Sequence, residues 1–171
     1  MKTIVLRFRD LNIPDGETIR RHRAKIEAHG CVWWGWIMRQ TETFPENLLA
    51  QLAQELEGTN GRTVYLFHSG ECRLYPAALG DVAAYPGGAR IQTPEVQKTP
   101  TYMAEAELPA WLKLTVIGEP LSVGFTVAIE QFPTLTAPPE VDQKLAGRKI
   151  TDASDLRLST ATLWSAIVEA K

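Results

Sequence analysis

Apolar and polar positions alternate at the start of the chain. Ile4, Leu6 and Phe8 interleave with Thr3, Val5, Arg7 and Arg9, the period of a half-buried strand over 3–9. A turn at Asn12-Ile13-Pro14-Asp15-Gly16 precedes a helix over 17–29, with Asp15 near its start and Gly30 just past its end. The apolar face of that helix is thin, resting on Ile19, Ile26 and alanines, and a cationic run of Arg20, Arg21, His22, Arg23 and Lys25 stands against it. Next comes Gly30-Cys31-Val32-Trp33-Trp34-Gly35-Trp36-Ile37. As a strand it puts Val32, Trp34 and Trp36 on one face and Cys31, Trp33 and Ile37 on the other. Apolar residues on both faces are the mark of a strand buried on two sides. Three neighbouring indoles, each with an N–H that wants a partner when buried, also suit the wall of a ligand pocket. Both readings stand at this point.

Further along, Pro45 suits a first helical turn, and Leu48, Leu49, Leu52 and Leu56 recur at helical spacing to about Glu57, before the stop Gly58-Thr59-Asn60-Gly61. Val64, Tyr65, Leu66 and Phe67 predict a strand over 62–68. Ser69-Gly70-Glu71 turns it into a second strand over 72–85, with Pro76 and Gly80 as bend or bulge points. Curving strands of this kind bring a sheet toward a barrel. Residues 86–103 are rich in Pro, Gly, Thr and Gln and read as a long loop, functional or mobile. Strands are expected over 111–117 and 121–129, ending near Phe132-Pro133, and a surface connection over 134–141 holds Pro138-Pro139. The tail carries Leu156, Leu158, Leu163, Trp164, Ile167 and Val168, a pattern that leaves helix and strand both open.

The 171 residues, 44% hydrophobic, suffice for one domain with a real core. A net charge of −2 gives no whole-surface basic field, so any polyanion must be held locally. Residues 1–40 hold eight Lys/Arg against four Asp/Glu, which makes the first part of the chain the better place to look. Cys31 and Cys72 stand alone, and no Cys-x-x-Cys or His-x-x-x-His spacing supports a metal site. No run approaches membrane-spanning length, and a cytoplasmic protein is expected, without membrane contact. Phosphate loop, nucleophile elbow and His-Glu-x-x-His motifs are absent from the sequence. His22, His29 and His68 have no evident carboxylate and nucleophile partners. Glu71 and Lys113, both near strand ends, are either an ordinary ion pair or the acid–base pair of a hydrolase. What remains is aromatic: Trp33, Trp34, Trp36, Tyr65, Phe67, Tyr75, Tyr102 and Trp111, rings suited to stacking on a nucleobase or caging a cation.

The order of strand, helix, His29-Gly30-Cys31-Val32-Trp33-Trp34-Gly35-Trp36, helix, the hairpin around Phe67-His68-Ser69-Gly70 and then Trp111-Leu112-Lys113-Leu114-Thr115-Val116-Ile117 resembles a PUA-like domain, with EVE, YTH and ASCH domains as broad relatives. More narrowly, the tryptophan stretch and Thr162-Leu163-Trp164 resemble the PUA-like module found before calcineurin-type metallophosphoesterases in bacterial conflict and RNA-repair systems. The resemblance implies an α+β fold, a small partly open β-barrel of about five to seven strands flanked by two or three helices. It covers 1–135 and leaves 136–171 as a linker and apolar segment that packs on the domain or leads to a partner. It also implies a non-catalytic module for RNA, DNA, a nucleotide or a modified nucleobase, serving as a sensor or targeting unit in nucleic-acid processing or antiphage defence. In that reading Trp34 and Trp36 stack on the ligand, Trp33 follows, Trp111 is an opposite wall, and Tyr65 and His68 complete the set. Arg20, Arg21, Arg23 and Lys25 then contact phosphate. No catalytic residue, metal or cofactor is expected, and the chain lacks the Asp-x-His and Gly-Asn-His-Asp ligands of the phosphoesterase half, so that activity would belong to another chain or effector. The alternatives are an ASCH-like hydrolase working through Lys113 and Glu71, and a protein-interaction module built on the tryptophans.

Overall fold

A computed structural model of the chain describes residues 2–121, 124–129, 145, 147–159 and 161–170. The opening alternation forms β1 (Lys2–Phe8), and the cationic segment forms α1 (Glu17–His29). Gly16 caps α1 in a left-handed conformation (φ 80°) and supplies no side chain, so the free backbone donors of the first turn find a remote acceptor instead. Asp10, not Asp15, takes that role: its carboxylate accepts from Gly16 N and Thr18 N, both at 2.9 Å. At the far end Gly30 (φ 78°) donates to Ile26 O at 2.7 Å, the expected glycine stop. The leucines of α2 (Glu46–Leu56) bury Leu49, Leu52 and Leu56.

The tryptophan strand is β2 (Val32–Trp36). The hairpin is β3 (Arg62–His68) and β4 (Arg73–Ala84), followed by β5 (Ala110–Ile117), β6 (Phe125–Ile129), the two-residue β7 (Lys149–Ile150) and β8 (Leu163–Ala170). The register of β4 on β5 slips between Ala78 and Asp81, where Gly80 lies, so the expected bulge is present. The sheet order is β2-β5-β4-β3-β1-β8-β6-β7, with β1 and β3 parallel and every other pairing antiparallel. The eight described strands exceed the expected five to seven because the tail and β7 join the sheet. The α+β class and the open barrel hold, since among the described strands β2 and β7 each hydrogen-bond to one neighbour only. The tail is a strand. Its alternation sends Leu163 into one core and Trp164 into the other, which a strand does and one helix face does not.

Strand β1 is likewise buried on both sides: Ile4 and Leu6 join the core under α1 and α2, while Val5 joins a second core with Phe67, Val127, Leu156 and Trp164. A half-buried strand is the sequence expectation, and the second core explains the difference, because Val127, Leu145, Leu156 and Trp164 cover the face that carries Val5. The residues expected to link 1–135 to 136–171, including Phe132-Pro133 and Pro138-Pro139, lie outside the described residues, as do 122–123 of the expected strand over 121–129. No described helix is long and apolar enough to cross a membrane.

Candidate functional site

Although β2 ends the sheet, it is buried on both faces, by the core under α1 and α2 on the Trp34 side and by Leu108, Trp111 and residues 91–106 on the Trp33 side, and its free edge comes near β1. Side chains rather than a backbone ladder span the gap. The Trp34 and Phe8 rings meet edge to face at 5.0 Å, and Trp36 Nε1 donates to Thr162 Oγ1 at 2.9 Å. Thr162 is held in turn by Glu42, whose buried carboxylate accepts from Thr162 N at 2.5 Å, Thr162 Oγ1 at 2.6 Å and Arg39 N at 2.8 Å. The gap leaves a cavity of about 510 Å³, within the range of ligand sites. Its walls come from the ends of β1 and β2, the first turns of α1, and the turn at Thr101–Met103.

Trp34 and Trp36 line this cavity together, as the alternation requires. One face of Trp34 is already occupied, however, by the His22 ring at 4.2 Å and 38°. His22 is buried, and burial pushes its imidazole down to about 4 against the weaker opposing effect of its bond to Thr18 O. It is therefore neutral at neutral pH. With Nδ1 2.6 Å from the Thr18 carbonyl oxygen, the ring's one proton sits on Nδ1 and Nε2 is an acceptor. Phe8, Tyr102 and Met103 add apolar surface, and Arg7, Arg9 and Arg39 line the same space. Arg7 is half-buried and donates to Ser159 O, while Arg9 and Arg39 are exposed. Burial, and then repulsion by Arg39, Arg9 and Arg157, hold the Arg7 guanidinium below its ordinary value, with Glu42 acting the other way. No carboxylate side chain lines the cavity among the described residues, so its field suits an anion and opposes a cation.

The other expected site residues lie elsewhere. Trp33 and Trp111 form a separate cluster with Leu108 on the opposite face of β2 and β5. Their indoles hold residues 86–103 in place: Trp33 Nε1 donates to Glu95 Oε2 and Trp111 Nε1 to Ile91 O, each at 2.9 Å. That segment is an ordered series of short turns, and it ends in the Tyr102 and Met103 wall. Gly35 makes the packing fit, since a Cβ there would lie 2.4 Å from Leu108 Cδ1 and 2.9 Å from the Trp111 ring. Tyr65 belongs to the second core. With Trp33, Trp34 and Trp36 each under 5% exposed, these tryptophans present no surface patch to a partner protein.

The four expected phosphate contacts bond within the protein. Arg20 and Arg21 pair with Glu17 at 2.5 and 2.8 Å, Arg23 donates to Ile117 O and Gly118 O, and Lys25 donates to Gln97 O. His68 binds Asp10 rather than facing the cavity. Its Nδ1 accepts from Gly70 N and Glu71 N, so Nε2 carries the proton and donates to Asp10 Oδ2 at 2.8 Å. Asp10, His68 and Glu71 are a group of metal-ligating types, but both His68 nitrogens and the Asp10 carboxylate are committed, so the group does not fit a metal. Burial raises the Asp10 carboxyl, and the bonds from His68, Thr18 and Gly16 outweigh it, leaving the group at about 2. Glu71 sits in the β3–β4 turn, whereas Lys113 pairs with Asp81, so roughly 25 Å of β4 separates the proposed hydrolytic pair. Lys113 instead lies over the Trp33 ring at 5.7 Å.

An open, curved mixed sheet that closes over a cavity through side chains defines an α+β domain with an aromatic and cationic recess. The chain belongs to the Pua-like family, whose model matches residues 4–171. No curated protein and no solved structure gave a match.

Proposed function

We propose that the domain is a non-catalytic module that takes a nucleotide or a nucleobase of RNA or DNA into the cavity between β1 and β2. The observation that carries this reading is the pairing, in one recess, of aromatic and apolar walls with three arginines and no carboxylate. A planar base packs against Phe8, Tyr102 and Met103 near Trp34, and its phosphate lies at the mouth with Arg7, Arg9 and Arg39. Membership of the Pua-like family supports a nucleotide- or RNA-binding role of this general kind. The domain then acts as a targeting unit for an effector such as a calcineurin-type phosphoesterase, in nucleic-acid processing or antiphage defence.

Titration of short single-stranded RNAs and DNAs, and of the four nucleoside 5′-monophosphates, tests the reading against wild type and an Arg9→Gln/Arg39→Gln pair. Binding that weakens with salt, and a salt slope that is shallower by about one to two in the double variant, is the expected result. No binding by any probe at low salt overturns it.

A further inference from the structure

Four of the five tryptophans give their indole N–H to a partner: Trp33 to Glu95, Trp36 to Thr162, Trp111 to Ile91 and Trp164 to Ser159. Trp34, only 4% exposed, has none among the described residues. Beside it His22, 2% exposed, spends Nδ1 on the Thr18 carbonyl, and its Nε2 also has no partner among the described residues. Neither nitrogen is a sealed, unpartnered atom, and both residues line the cavity. Both nitrogens are reached by solvent in that recess, where the polar edge of a ligand can take the place of water.

Resting on the base-binding reading above, we infer that Trp34 Nε1 and His22 Nε2 form a donor–acceptor pair that reads the Watson–Crick edge of an unmodified base. The pair needs an acceptor next to an N–H donor on one planar edge. Adenine, guanine, cytosine and uracil all offer that combination on their Watson–Crick edge; adenine offers it at N7 and N6–H as well, whereas the N7/O6 edge of guanine and the remaining edge of a pyrimidine do not, so guanine and the pyrimidines are the discriminating cases. His22 covers one face of Trp34, so the indole is held in place beside the imidazole that supplies the acceptor. A methyl group on the edge removes the donor or blocks the acceptor and leaves both protein nitrogens unpaired, so the site selects against such modification. The neutrality of His22 is part of the device: an imidazolium would present two donors, and the three arginines around the cavity oppose that charge.

The test uses the intact chain and two probe sets. One is the four ribonucleoside 5′-monophosphates; the other is 1-methylguanosine and 3-methyluridine 5′-monophosphate, whose methylated bases stay uncharged and so are not turned away by the arginines. At least one unmodified nucleotide should bind roughly tenfold or more tightly than its methylated counterpart. Trp34→Phe and His22→Phe, which keep an aromatic ring at each position and remove the nitrogens, should lose about the same factor while unfolding cooperatively like wild type. If either variant fails to fold, the methylation comparison on wild type still decides. Equal or tighter binding of the methylated form, or folded variants that bind like wild type, overturns the edge-reading pair and leaves the base-binding reading intact. Failure of every nucleotide to bind at low salt overturns both.

Discussion

The two faces of β2 carry the same residue type and do different things. On one, Trp33 packs with Trp111 and Leu108, its N–H is held by Glu95, and its effect is to fix a turn-rich segment against the sheet. On the other, Trp34 is as deeply buried, yet its N–H is left open beside a neutral His22 and a cavity. Burial and residue type do not separate a structural tryptophan from a binding one here. The fate of the single polar atom does.

The comparison breaks most visibly on the structural face. Trp111→Ala removes a fully buried ring and frees the Ile91 anchor, and should cost about 3–5 kcal/mol, read as a large fall in Tm, with loss of ligand binding as the Tyr102 wall loosens. A change of comparable size is expected on the other face from pH alone. Because folding lowers His22 to about 4, the unfolded chain takes up its proton first. Stability is therefore full above about pH 6.5 and declines toward pH 4, by about 3 kcal/mol in all. Denaturant unfolding of wild type and His22→Phe at a series of pH values should show this decline in wild type only. Asp10, depressed to about 2, adds its own loss at lower pH, as pH falls from about 3.8 through 2. Between the faces, Gly35→Ala drives a methyl into Leu108 and the Trp111 ring and should cost about 1–3 kcal/mol in thermal unfolding. The smallest structural effect belongs to the mouth: Arg39→Gln should change stability by less than about 0.5 kcal/mol while weakening nucleotide binding at low salt.

Much of this fold is legible in the chain. The alternation of Trp33 and Trp34 between faces, the helix over 17–29 ending at Gly30, and the hairpin from Arg62 all follow from local pattern and turn chemistry. Asp10 as the cap of α1 does not, because the acceptor stands six residues before Gly16 and is positioned by His68 from a different strand. The same limit applies to the site. The run Arg20–Lys25 is conspicuous in sequence, but its charges are spent on Glu17, on backbone carbonyls and on Glu119. Arg7, Arg9 and Arg39 draw little notice, although two lie at the exit of β1 and one three residues past β2. A cation at the exit of each of two strands was the available signal. Its meaning depends on the sheet curling until β1 and β2, which are not neighbours in the ladder, face each other across a gap. His22 was hidden for the same reason: its position on α1 is plain, but the Trp34 ring beneath it is a tertiary contact.

The most direct test of the distinction between the two faces is the ¹H–¹⁵N spectrum of the five indole groups, followed as a nucleoside 5′-monophosphate that binds is titrated in. The Trp34 resonance should move with saturation and lose its exchange with water, while those of Trp33 and Trp111 stay close to their starting positions. A Trp34 signal that does not respond, or Trp33 and Trp111 signals that respond as strongly, would contradict the assignment of the open indole to the ligand.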